Sequence, residues 1–126
     1  YVDRPDYAIA IDVCHAKTGD SKPDDRVSDL GGGPVVAFGS TSIPLFARRL
    51  VDVARAKEIP HQLEAVSAHS GTHAWAIQTV GSGVCTAVVS LPLKYMHSPV
   101  EVIKLSDVRQ VGRLLCDFVK QFDGNL

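Results

Sequence analysis

The chain has 126 residues, 45% of them apolar and 21% charged, with a formal net charge of −1. That length and balance fit one globular domain with its own core and are too small for two. The near-neutral charge removes the electrostatic case for nucleic acid or an anionic membrane surface as a partner. No apolar run approaches about 20 residues, so nothing reads as a bilayer span, and no signal-peptide pattern is present. The first residue is Tyr1 rather than Met, which reads as a processed or excised piece. Cys14, Cys85 and Cys116 are odd in number and lack metal-like spacing. Free thiols in a reducing compartment are expected, with cytoplasm as the default.

"YAIAIDV", Tyr7 to Val13, is a nearly continuous apolar run that reaches an acid, Asp12. Such runs suit a strand covered on both faces, as in a parallel sheet. The Gly-, Asp-, Ser- and Pro-rich stretch from Ala16 to Gly33 reads as a long surface loop. Its Gly31-Gly32-Gly33 lacks the later glycine and the helix placement of a phosphate cradle, and reads as a turn. "PVVAFGS" is a second strand. A helix is expected next, with Thr41 or Ser42 as N-cap and Pro44 in the first turn. Its Phe46, Leu50, Val53 and Ala54 recur on one helical face. "HQLEAVSA" is a third strand, and "GTHAWAIQTVGSG" a short helix ending at Gly81 or Gly83. "VCTAVVSLPL" is the fourth strand. The last segment, from Ser98 to Phe122, carries Val108, Val111, Leu114, Leu115, Phe118, Val119 and Phe122 at helical spacing. Strands alternating with helices predict an α/β fold, three-layer α/β/α, with a largely parallel sheet.

In open α/β sheets, ligands gather beyond the carboxyl ends of strands. Asp12 is expected to close the first strand and His97 follows the fourth, so both stand where a site would form. A carboxylate and an imidazole suit zinc, cobalt or manganese. The plainer alternatives are an Asp that caps a turn and a His bonded to a backbone carbonyl. His69 and His73 are four apart, but Gly71 between them argues against a chelating helix, and no zinc-protease motif is present. Cys14 and His15 are adjacent on a strand and so point to opposite faces, which rules them out as nucleophile and base. No nucleophile elbow is found. Glu64 is a single carboxylate on a strand and reads as structural. Lys94 and Tyr95, beside His97, are candidates to orient a ligand or substrate.

Taken in order, "AIAIDV", "KTGDSKP", "LGGGPVV", "IPHQLE", "SGTHAWAIQ" and "GVCTAVVSLPLKYMHSPVEV" resemble the C-terminal part of the glutamyl aminopeptidase family of dinuclear metallopeptidases. That family includes the tetrahedral aminopeptidases, and an older naming calls some members cellulase M or endoglucanase. The resemblance covers nearly the whole chain, and "PLKYMHSPVE" is its most specific stretch. It implies that residues 1–126 are the C-terminal portion of a single metallopeptidase catalytic domain. The upstream half and an inserted dimerisation domain would be absent.

By the same resemblance, Asp12 binds one metal and His97 the other, His97 being held at the strand end by a helix that starts at Ser98-Pro99. The cofactor implied is two divalent metal ions, zinc or cobalt. The general-base Glu is expected upstream, so no catalytic residue is assigned in this chain. Lys94, Tyr95 and His73 are the expected substrate-binding residues. Two departures bear on them: Lys94 replaces the motif's Arg, which keeps the charge but loses bidentate geometry. Thr72-His73-Ala74 stands where the family has Thr-Asp-Ala.

The function implied is hydrolysis of N-terminal residues from a peptide substrate in the full-length protein, a homo-oligomer, with this chain inactive alone. The alternative is a non-catalytic binding or assembly module of the same fold. Glycoside hydrolysis ranks last, because Asp12 has no evident carboxylate partner for it. A half-sheet would also leave an edge strand. The isolated chain is therefore expected to be aggregation-prone or to depend on a partner, and a monomeric, cooperatively melting species in sedimentation and thermal scans would contradict this.

Overall fold

The computed structural model describes residues 5–67 and 72–126. The elements in chain order are β1 (Tyr7–His15), β2 (Val35–Gly39), α1 (Pro44–Ala56), β3 (Gln62–Val66), α2 (His73–Thr79), β4 (Cys85–Leu93) and α3 (Leu105–Gln121). The strands form one sheet in the order β1-β4-β2-β3. β1 runs parallel to β4, and β2 parallel to β3. The central pairing of β4 with β2 is antiparallel, so the sheet is mixed, with parallel pairs on either side of one antiparallel seam.

Alternation along the strands assigns each residue to a face. Val36, Ala87 and Val89 face α1 and α3, which bury Phe46, Leu50, Val51, Val111, Leu114 and Phe118 against them. The Phe46, Leu50, Val53 and Ala54 stripe of α1 is buried as its spacing required. On α3 the alternation is less complete: Val108 and Val119 are exposed, while Val111, Leu114 and Phe118 carry the packing. Tyr7 closes this core edge-on against Phe46 and Phe122, at ring-centroid distances of 5.8 and 5.0 Å. The opposite face packs Ala10, Ala37 and Val88 under Ala74 of α2. Helices thus lie on both sides of the sheet, giving the expected α/β/α layering. β1 is an edge strand in this sheet, and Ile11 on it is exposed.

Several expected boundaries move. The N-cap of α1 is Ile43, with Pro44 following directly. The Ile43 N–H donates to the Thr86 carbonyl of β4 at 2.8 Å, which ties the chain to the sheet and delays the helix. Thr41 and Ser42 therefore do not cap it. α2 ends at Thr79, ahead of Gly81. Asp12 is not the last residue of β1, because β1 continues to His15 in register with β4. No helix begins at Ser98-Pro99. The chain there folds into a tight loop closed by a bridge between Lys94 and Val102, and α3 starts only at Leu105. A Pro-initiated turn and a helix start look alike in sequence, because both accept Pro in an early position. His69, Gly71 and the ends of the third strand and second helix predicted around Ala68 lie outside the described residues.

Candidate metal and substrate site

A cavity of about 430 Å³ opens on the α2 face of the sheet, and both Asp12 and His97 line it. The register explains the meeting. Asp12 pairs with Ser90 across the parallel β1–β4 ladder, and Ala37 pairs with Glu64 across β2–β3. In-register partners share a face, so Asp12, Ser90, Ala37 and Glu64 present one surface. The loop after β4 then brings His97 to the same surface. Asp12 is half-buried, and its Oδ1 accepts the N–H of Val13 at 2.8 Å. That bond orients the carboxylate, and among the described residues its second oxygen takes no hydrogen bond. His97 is exposed, sits at φ 63° and donates its main-chain N–H to Glu101 Oε1 at 2.8 Å.

The remaining expected residues distribute differently. Lys94 and Tyr95 belong to the same loop as His97 but do not line the cavity, and Tyr95 is 54% exposed. His73 is the exposed first residue of α2, next to cavity-lining Thr72. Cys14 is buried and His15 exposed, as neighbours on a strand should be, yet both residues line the cavity at the end of β1. Burial pushes the Cys14 thiol up to about 11, which the Ser28 hydroxyl only partly offsets, while the nearby Glu64 and Asp12 add to the rise. A thiol so raised is a poor nucleophile. Alkylation of the native protein in mildly alkaline buffer is expected to label exposed Cys116 and to spare Cys14 until the chain is unfolded. Peptide mapping that found Cys14 labelled at the rate of Cys116 would contradict this.

Three lining residues were not expected at the site: Glu64 reads as structural and Thr41 as a helix cap in the sequence, and Glu101 is unmarked. Glu64 lines the cavity, and burial raises its carboxyl above the ordinary range while His15 pulls it partly back. A raised carboxyl means that the folded chain holds this proton more tightly than the unfolded chain does. Its contribution to stability is therefore full in acid and falls as pH rises through the raised value. Glu64→Gln removes that ionisation and is expected to melt above the parent near neutral pH, with the gap closing in acid. A gap independent of pH would contradict the burial argument. Thr41 lines the cavity with a buried hydroxyl that has no hydrogen-bond partner among the described residues. Glu101 lines it too. Neither spacing nor composition marks Thr41 or Glu101, because both depend on how two loops fold back on the sheet.

Among the described residues no group of three or more His, Cys, Asp and Glu side chains is close enough to hold a metal ion. The donor chemistry nevertheless fits part of a divalent-metal site: a half-buried carboxylate and an imidazole on one cavity, beside a buried hydroxyl with no partner among the described residues.

A model of the M42 glutamyl aminopeptidases matches residues 2–114, and the chain belongs to that family. It is 40% identical over 113 residues to the lysyl aminopeptidase of Pyrococcus furiosus, covering 87% of this chain and 32% of the relative. Among solved structures, an aminopeptidase from the archaeon Desulfurococcus kamchatkensis superposes with a TM-score of 0.86 at 32% identity, covering 94% of this chain and 35% of that one. The TET1 peptidase of Pyrococcus horikoshii, which can assemble into a tetrahedron or a large octahedral shell, gives 0.72 at 28% identity, covering 94% and 34%. The chain thus spans about a third of the length of the proteins it matches.

Proposed function

We propose that this chain is the C-terminal part of the catalytic domain of a metal-dependent aminopeptidase and carries two of its metal ligands, Asp12 and His97. One observation carries the reading: β1 and the loop after β4 bring these two side chains to one cavity that also holds the Thr41 hydroxyl, unpartnered among the described residues. Asp12 would hold one divalent ion and His97 the other, zinc or cobalt, with the remaining ligands and the general-base Glu supplied from upstream sequence. When bound, such an ion pair polarises a peptide carbonyl and acidifies a water molecule.

The chain's own residues do the rest. Val13 N–H fixes the Asp12 carboxylate, and Glu101 fixes the His97 backbone. The described lining carries the carboxylates of Asp12, Glu64 and Glu101 and no lysine or arginine, which suits the cationic amino end of a peptide. Thr41 stands ready to donate to, or accept from, a bound substrate. Lys94, Tyr95 and His73 belong at the rim, where they would contact the substrate beyond its first residue.

Family membership and the aminopeptidase relatives support this activity. The shell-forming relative supports a homo-oligomer for the full-length protein. The three free thiols support a reducing compartment, the cytoplasm. No described helix is long and apolar enough to cross a membrane.

The test compares the full-length protein with the 126-residue chain on a panel of aminoacyl chromogenic substrates, with and without cobalt. Metal-dependent cleavage by the full-length protein and none by the chain alone is the expected result. A full-length protein that cleaves no substrate at any metal concentration would contradict the enzyme reading and leave a binding module.

A further inference from the structure

The loop between β4 and α3 is closed by two main-chain hydrogen bonds, Lys94 N–H to Val102 O at 2.9 Å and Val102 N–H to Lys94 O at 3.1 Å. Inside it, Ser98 N–H donates to Tyr95 O at 3.1 Å and Ser98 Oγ to Val100 O at 2.8 Å. Tyr95 and His97 both adopt left-handed backbone, at φ 62° and 63°. Side chains other than glycine disfavour that region, and such residues persist only where their surroundings hold them. The His97 N–H is one such hold. It finds no strand or helix carbonyl and donates instead to Glu101 Oε1 at 2.8 Å, four residues on. A charged acceptor makes this the strongest kind of bond available to a backbone N–H. Glu101 lines the same cavity as Asp12 and His97.

From this geometry we infer that Glu101 is a positioning residue for His97. Its carboxylate accepts the His97 N–H, holds the left-handed turn and so keeps the imidazole on the cavity. The inference rests on the reading of His97 as a metal ligand. Partners that orient a ligand act on metal affinity without touching the metal. Glu101→Ala frees the N–H and lets the backbone at His97 relax. Glu101→Gln keeps an amide oxygen as acceptor but removes the charge.

The experiment uses the full-length protein and its two variants, in two arms. Cobalt affinity is measured by competition with a chelator, and amide hydrogen exchange over residues 94–102 is followed without metal by mass spectrometry. Glu101→Ala is expected to bind cobalt about tenfold more weakly and to exchange faster in this loop alone. Glu101→Gln, which keeps an acceptor but loses the charge assistance, is expected to lie between alanine and the parent in both arms. An alanine variant with parental affinity and parental exchange overturns the inference. So does a glutamine variant as impaired as alanine, because the carboxylate would then act through its charge rather than as an acceptor. Failure of the underlying reading looks different: the parent itself would bind no cobalt, while the exchange arm would still report whether Glu101 holds the loop.

Discussion

Replacing His97 with alanine in the full-length protein is expected to lower aminopeptidase turnover by on the order of 10³-fold while leaving the fold intact. Lewis-acid stabilisation by a bound ion is worth several kcal/mol, and each 1.36 kcal/mol is a factor of ten in rate. Losing one ligand of one ion forfeits much of that. The fold should survive because His97 is exposed and its side chain packs into no core. Melting in chelator should thus match the parent closely. A variant that is inactive only because it no longer folds would show itself in that melt. A variant that keeps parental turnover at saturating metal would return His97 to the plainer role of a loop residue.

The largest stability effect is expected far from the cavity, at Asp107. This carboxylate is buried at 1% exposure in the first turn of α3. It accepts the N–H of Gly31 at 2.7 Å and of Gly33 at 3.0 Å. These two donors belong to the glycine turn that feeds β2, where the Gly33 N–H is buried and Gly31 lies at the surface. Gly33 sits at φ 83°, where a Cβ would overlap the Pro60 carbonyl oxygen, so the turn needs glycine there and cannot relax toward other partners. Gln62 of β3 braces the same turn by bonding both the N–H and the carbonyl of Asp29. Asp107→Ala leaves the buried Gly33 donor unpaired and hands the Gly31 donor to solvent, at a cost of about 2–4 kcal/mol, or roughly 10 °C in melting temperature. Asp107→Asn retains one acceptor oxygen and should fall between alanine and the parent. An alanine variant that melts with the parent would mean that water replaces the carboxylate at both donors.

Asp107 also illustrates where sequence reading stops. The layer architecture was legible because it rests on periodicity: the apolar runs of β1 and β4 and the Phe46–Leu50–Val53–Ala54 stripe each require a buried face. The strand directions were less so. An antiparallel β4–β2 seam leaves no mark on composition, since both of its strands are covered on both faces and read alike. That Asp12 and His97 would meet at one cavity was legible from the motif around His97 and from its place after the fourth strand, although β1 runs on past Asp12 to His15. Their neighbours were not. Thr41 or Ser42 looked like a helix cap because a hydroxyl residue two or three positions ahead of Pro44 puts that proline in the first turn, yet the Ile43–Thr86 bond to the sheet moved the helix start past both. Glu101 and Asp107 fall in a segment expected to be helical, and nothing in its pattern singles them out. Their acceptors' work depends on backbone N–H groups of turns, one four residues away and one more than seventy, and backbone groups carry no letter in the sequence.

The most direct test of the assignment is metal content by mass spectrometry of the purified full-length protein beside its Asp12→Asn and His97→Ala variants, each equilibrated with the same cobalt. Asp12 and His97 are assigned to different ions of a pair. The parent is therefore expected to carry two equivalents per chain, and each variant to lose one. Two equivalents retained in both variants would contradict the assignment outright and make Asp12 and His97 structural residues of the cavity wall.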